Sequence, residues 1–241
     1  KFPAKYQEAL FLCDWSYGKL YAVHLKENGA SYTGEAEEFL QGSPLPLTDA
    51  VINPKDGAMY FTIGGRNTLS GLYRVTYVGQ ESTKQVDPTE EKPASSPSAA
   101  RAARRKLESF YGKQDPAAAA AAWPYLSSED RFLRWAARTV LEFQDPATWQ
   151  DKALAETNPA ALTHALIGLA RASTKKTELL PKVLKALEQV EWTKLTPAQQ
   201  IDYLRAYQLA FVRLGAPDAD WKARAGKRLD GFFPAASSEV N

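Results

Sequence analysis

Apolar and polar residues alternate with a strand-like period as far as Tyr77, and after a polar interval the pattern changes to the helical one. The stretch Leu47 to Tyr77 predicts three consecutive antiparallel strands. Thr48 to Asn53 is a short apolar run, stopped by Asn53-Pro54-Lys55-Asp56-Gly57, where Pro fixes φ and Gly supplies positive φ for a tight hairpin. Ala58 to Ile63 is the return strand. Gly64-Gly65-Arg66-Asn67 through Ser70-Gly71 reads as a longer loop before a third strand, Leu72 to Tyr77, rich in β-branched and aromatic residues. Upstream, Ala9 to Cys13, Lys19 to Leu25 and Glu35 to Leu40 form a second set. Turns separate them at Asp14 to Gly18 and Gly29 to Gly34, and the acidic Glu35, Glu37 and Glu38 suit an edge strand.

The two sets echo each other. Leu20, Tyr21 and Val23 match Leu72, Tyr73 and Val75 at a constant offset of about 52 residues, a spacing that suggests radial blades with loop insertions. In a blade of strands A to D, the first set supplies B, C and D and the second A, B and C. Neither blade is complete, and two are too few to close a ring. The missing strands are expected from the remaining blades outside these residues or from another copy of the polypeptide. A six-stranded sandwich or meander is the other reading.

From Gln80 the composition turns to Ser, Pro, Glu, Lys and Thr, as in a linker. Helices are then expected at Ser98 to Tyr111, from Asp115-Pro116 to Trp123, and over Ser127 to Phe143, where Phe132, Trp135, Ala136, Thr139, Val140 and Phe143 fall at helical spacing and predict one buried stripe. Further helices follow at Ala147 to Glu156, Ala160 to Ala172, Glu178 to Val190, Ala198 to Leu214 and Asp218 to Leu229, several opened by a cap followed by Pro. Short capped helices with short connections suit an α-solenoid, and D-R-x-x-R-x-A-A-R-x-x-L resembles the second-helix pattern of HEAT repeats. A compact helical bundle is the alternative. The expected fold class is α+β and multidomain. Residues 1–79 form a partial β-propeller of about two incomplete blades, 80–97 a linker, and 98–241 a HEAT-like all-α array.

Composition narrows function mainly by exclusion. The chain has 241 residues, 44% hydrophobic and 24% charged, with a formal net charge of +2, an ordinary soluble balance that argues against binding nucleic acid or an anionic membrane by bulk charge. The basic run Arg101, Arg104, Arg105 and Lys106 reads as a solvated helix face, because no aromatic interleaving accompanies it. No apolar run is long enough for a transmembrane helix. Cys13 is the single cysteine, which removes an intrachain disulfide, a cysteine zinc site and a CxxCH haem attachment. The opening Lys1-Phe2-Pro3 has neither Met nor a signal-peptide core, so the chain reads as a processed product or, the favoured reading, as a piece of something longer. At the other end, Phe232-Phe233-Pro234 ends a helix, and Ser237 to Asn241 looks like the capping segment of another.

The segments DWSYGKLYAVHL, PLPLTDAVINPKDGAMYFTIGGR, SGLYRVTYVG, SFYGKQDPAAAAAAWPYL, DRFLRWAARTVLE and YQLAFVRLG together resemble the junction region of a family of large multidomain proteins of planctomycete-type bacteria, the membrane-bound dehydrogenase-like or c-type haem-binding proteins. The resemblance implies a preceding propeller similar to soluble sugar and sorbosone dehydrogenases, then HEAT-like helices, then a cytochrome c module carrying CxxCH. It also implies a periplasmic or cell-envelope location. Pyrroloquinoline quinone, calcium and haem c would belong to the parent protein, and none is expected within these residues.

Candidate chemistry sits in the strand loops. Asp14 with Trp15, and Arg66 beside Gly64-Gly65, occupy positions where propellers build their sites, and an Arg with flexible glycines suits an anionic group such as a quinone carboxylate. Turn chemistry, with Arg66 pairing Asp14 or Asp56 and Trp15 packing between blades, accounts for the same residues. His24 and His164 are the only histidines and lack a second ligand at metal spacing. Cys13 reads as a small core hydrophobe. Asn53 to Gly57 lacks the carboxylate density of a calcium loop, and no serine sits in a GxSxG elbow. Two functions follow: a mainly structural segment of a redox protein whose catalysis lies elsewhere, or a scaffold whose helical concave face binds a protein or glycan.

Overall fold

The computed structural model describes residues 1–65, 67–86, 98–235 and 237–240. Among them are six strands and nine α-helices, divided between two units, Lys1–Ser98 and Ala99–Asn241.

The first unit holds two antiparallel sheets of three strands each. β1 (Leu10–Asp14), β2 (Lys19–Asn28) and β3 (Ser31–Gln41) pair in chain order, as do β4 (Leu47–Ile52), β5 (Met59–Gly65) and β6 (Thr68–Val75). Period-two alternation decides which side chains meet. In the first sheet Cys13 pairs with Leu20 and Leu20 with Leu40, so these share a face with Phe11. In the second, Met59, Phe61 and Ile63 point one way, opposite Val75, Tyr73 and Gly71. The two faces meet in one core of Leu20, Leu47, Met59, Phe61 and Ile63, joined by Phe2 from the segment before α1 (Ala4–Gln7). Each such side chain contributes about 1.5–3 kcal/mol on burial.

The opposite faces are only partly covered. Leu10 and Leu12 are each 48% exposed, and on the second sheet Val51 is 62% and Leu72 69% exposed. Leu12 is paired with Tyr21, Val51 with Tyr60 and Leu72 with Thr62, so each sheet turns apolar side chains outward.

Two glycine-containing segments expected to be turns are strand instead. Asn28 pairs with Ser31, leaving a two-residue turn at Gly29-Ala30. Gly34 then lies across from Leu25, where a Cβ would come within 2.6 Å of Val23 Cγ1, so glycine is needed for strand contact and not for a bend. Likewise Gly65 pairs with Thr68, which shortens the expected Gly64–Gly71 loop to a tight turn with Asn67 at φ 58°. In the segment read as linker, Gln7 Nε2 donates to Lys84 O at 2.9 Å and Gln7 Oε1 accepts from Val86 N at 2.9 Å. Residues 87–97 lie outside the described residues.

The second unit is helical: α2 (Ala99–Glu108), α3 (Ala118–Ala122), α4 (Arg131–Phe143), α5 (Gln150–Leu154), α6 (Pro159–Ala172), α7 (Leu180–Leu187), α8 (Pro197–Leu214) and α9 (Ala219–Asp230). Local chemistry sets most starts. Asp130 Oδ1 accepts from Phe132 N at 2.8 Å, Asn158 Oδ1 from Ala160 N at 3.0 Å and Asp218 Oδ1 from Trp221 N at 2.8 Å. α5 and α7 are shorter than their periodicity predicts. Pro181 cannot donate within a helix running from Glu178, so α7 begins at Leu180 with Pro in its first turn. Trp149, at φ −139°, separates a 3₁₀ turn from α5.

α2, α4, α6 and α8 pack on one another in that order, while α5 packs on α6 and α7, and α7 on α8. α6 is buried from Ala161 through Ala170, which makes it the centre of the unit. No helix among the described residues is long and apolar enough to cross a membrane.

Candidate functional site

The β1–β2 turn uses its own polar atoms. Asp14 Oδ1 accepts from Ser16 N and Tyr17 N, both at 3.0 Å, and Gly18 closes the turn at φ 66°. Trp15 reaches across to the second sheet, where its Nε1 donates to Gly64 O at 2.9 Å and its ring covers Gly65. Trp15, Tyr17, Gly42, Pro44 and Thr68 border a small cleft of about 240 Å³. Trp15 and the Gly64-Gly65 segment are thus together, with the Asp14 carboxylate turned to its own backbone. Arg66 lies outside the described residues. Asp56 pairs with Arg74 Nη2 at 3.3 Å and accepts from Tyr60 OH at 2.9 Å, and the Ala58 amide is the main cause holding its carboxyl below the usual range.

On β3, Glu37 gathers three partners. Its Oε2 lies 3.0 Å from His24 Nε2, its Oε1 accepts from Tyr6 OH at 2.7 Å, and Lys5 Nζ is 3.3 Å away. The His24 and Tyr6 bonds hold its carboxyl down at about 2. This network ties α1 to the sheet edge. Cys13 packs at the edge of the core, where burial pushes its thiol up.

No group of three His, Cys, Asp or Glu able to hold a metal ion occurs among the described residues. Around Asp14 and Trp15, one carboxylate oxygen and the indole N–H are engaged in the local fold. One cysteine cannot supply a CxxCH.

The helical unit builds a larger site. α4 buries Leu133, Ala136, Ala137, Val140 and Leu141, so of the expected stripe Trp135 and Phe143 are exposed instead, and Arg131, Arg134 and Arg138 fall on one face by spacings of three and four residues with Trp135 among them. α6 contributes His164, α8 Asp202 and Ile201, and α2 Arg104, around a cleft of about 620 Å³. A smaller cleft of about 280 Å³ shares Arg134, His164 and Asp202 with it. Arg134 is held in place by Ser128 O at 2.8 Å and Glu129 O at 3.0 Å. His164 Nε2 sits 3.1 Å from Arg134 Nε and 3.3 Å from Asp202 Oδ2, so its tautomer decides whether it accepts from the guanidinium or donates to the carboxylate. Burial pulls the Asp202 carboxyl up, but His164, Arg134 and Arg138 outweigh it and leave it below the ordinary value.

The neighbouring charges are unevenly matched. Glu142 receives Arg138 Nε at 3.1 Å on one oxygen and Arg171 Nε at 2.7 Å on the other, so two guanidiniums share one carboxylate. Arg138 is itself pulled down by burial and by the charge of Arg171.

The Arg101–Lys106 run, expected as a solvated helix face, has Arg101 buried and Arg104 at this cleft. The arginine spacing along α4 was a readable sign of a charged stripe, whereas the meeting of His164 with Asp202 depends on α6 packing against α8. Comparison of the chain with protein-family models, with curated proteins and with solved structures finds no match.

Proposed function

We propose that these residues are a structural segment of a larger redox protein of the dehydrogenase-like, c-type haem-binding kind. The two sheets would be incomplete blades of a β-propeller, and the helices a HEAT-like array that follows it. One observation carries this reading: the sheets pack face to face, yet each presents apolar side chains outward, Leu10 and Leu12 on one and Val51 and Leu72 on the other. In a propeller both faces of every blade are covered by neighbours, so such faces await further blades. The resemblance of the junction segments supplies the identity of the parent, a protein similar to quinone-dependent sugar dehydrogenases at the cell envelope.

Catalysis would then lie outside these residues, consistent with the turn and packing roles of Asp14 and Trp15. Intact-mass measurement of the product from its native source, set beside its gene, tests the reading. A longer product with further strand repeats before Lys1 and a CxxCH after Asn241 is expected; a product bounded by these residues overturns it. The isolated chain with added quinone and calcium is expected to give no sugar-dependent dye reduction, and turnover would place a catalytic site here after all.

A further inference from the structure

The cleft between α4, α6 and α8 has more positive charge than its own carboxylates balance, and its geometry goes beyond a structural role. Arg131 is exposed at the start of α4, and among the described residues no carboxylate lies within ion-pair distance of it. Its guanidinium stands 5.4 Å from the Phe132 ring, with that of Arg104 5.8 Å from the same ring. Arg134 is 4.0 Å from Asp202, and Arg138 shares Glu142 with Arg171. Among the described residues Arg104, Arg131, Arg134 and Arg138 line this cleft against Asp202, with Glu129 bordering the smaller cleft, while Glu108 pairs with Arg104 and Glu142 is shared by Arg138 and Arg171.

The shape of this surplus selects a ligand. Arg131 and Arg138 are seven residues apart on one helix, about 10 Å along its axis, so the guanidiniums form a ladder and do not converge on one small ion. Trp135 and Ile201, 47% and 42% exposed, stand beside the ladder as apolar ground. The cleft also continues past His164 and Asp202 into the smaller one. A span of about 10 Å is three residues of extended chain. Arginine and tryptophan are the side chains that most often dominate protein interfaces.

We propose that this cleft binds an acidic segment of a partner protein in extended conformation, its carboxylates on the Arg131–Arg134–Arg138 ladder and an apolar side chain against Trp135 and Ile201. The site belongs to the helical unit alone, so it stands or falls independently of the blade reading. The probe is a fluorescein-labelled hexapeptide alternating Glu with Leu, titrated by anisotropy against the full chain at low and physiological salt. Binding that weakens with salt is expected, with at least about a tenfold loss in Arg131→Glu, a replacement at an exposed position outside any ion pair among the described residues. Lys222→Glu on α9 serves as the off-site control and is expected to bind like the parent, with circular dichroism confirming the fold of both variants. Equal binding of the corresponding Gln/Leu peptide overturns the proposal. So does unchanged affinity in Arg131→Glu, or tighter binding of a single-stranded oligonucleotide, which would mark a general polyanion surface.

Discussion

The indole N–H of Trp15 donates to the carbonyl of Gly64 at 2.9 Å, joining the first turn of one sheet to the end of the central strand of the other. The same ring closes over Gly65, whose φ of 93° is disfavoured for any side chain and whose Cβ, if present, would stand 3.1 Å from Trp15 Cζ2. Trp15→Phe keeps most of the ring and loses the bond, so a loss of about 1 kcal/mol is expected. Gly65→Ala adds backbone strain to a tight contact and is expected to cost more, about 1–3 kcal/mol. Urea denaturation followed by tryptophan fluorescence and by circular dichroism ranks the two. A Gly65→Ala protein as stable as the parent would mean that this packing matters little to the unit.

The contrast between these loops and the helical cleft explains what the sequence made legible. Strands, turns and caps are local decisions, and residues such as Asp14, Asp130, Asn158 and Thr196 carry them in their own chemistry. Gly34 and Gly65 were harder, because a glycine that permits close approach and one that permits a turn look the same until the opposing strand is known. Pro181 did hold the information that shortens α7, since its missing N–H confines it to a first turn. The Trp15–Gly64 bond spans 49 residues, and Arg134, His164 and Asp202 come from three separate helices. No spacing rule along the chain brings those groups together. Only the packing of α4, α6 and α8 does so.

The Glu37 network predicts an acid-sensitive increment of stability. The carboxyl is held at about 2 in the folded chain, against an ordinary value of 4.5. A depressed carboxylate stabilises the fold fully above its unfolded value and ceases to do so as pH falls through the folded one. The contribution should therefore be complete above about pH 5 and drain away towards pH 2. With the side chain 38% exposed, solvent screening limits the effect to about 1 kcal/mol or less. Denaturation of the parent and Glu37→Gln across this range provides the check. Their stabilities are expected to differ at neutral pH and converge in acid, the neutral-pH gap shrinking in high salt. A gap independent of pH would assign the loss to packing and not to charge.

The start of α8 connects helix stability to the arginine cleft. Thr196 Oγ1 accepts from Gln199 N at 3.3 Å, and Gln199 Oε1 accepts from Thr196 N at 3.0 Å, a reciprocal cap that satisfies two of the otherwise unpaired first amides. The next turns carry Ile201 and Asp202, which border the cleft, and Tyr203, whose hydroxyl donates to Leu187 O at 3.0 Å. Thr196→Ala removes one half of the cap and is expected to cost about 1 kcal/mol, while Thr196→Ser retains it and should cost less. Hydrogen exchange can locate the loss. Faster exchange is expected in the first turn of α8, with Tyr203 and the residues after it remaining protected by their packing. Fraying that spread through the whole of α8 would show that the cap, and not the burial of Tyr203, Ala206 and Tyr207, holds this helix against the rest of the unit.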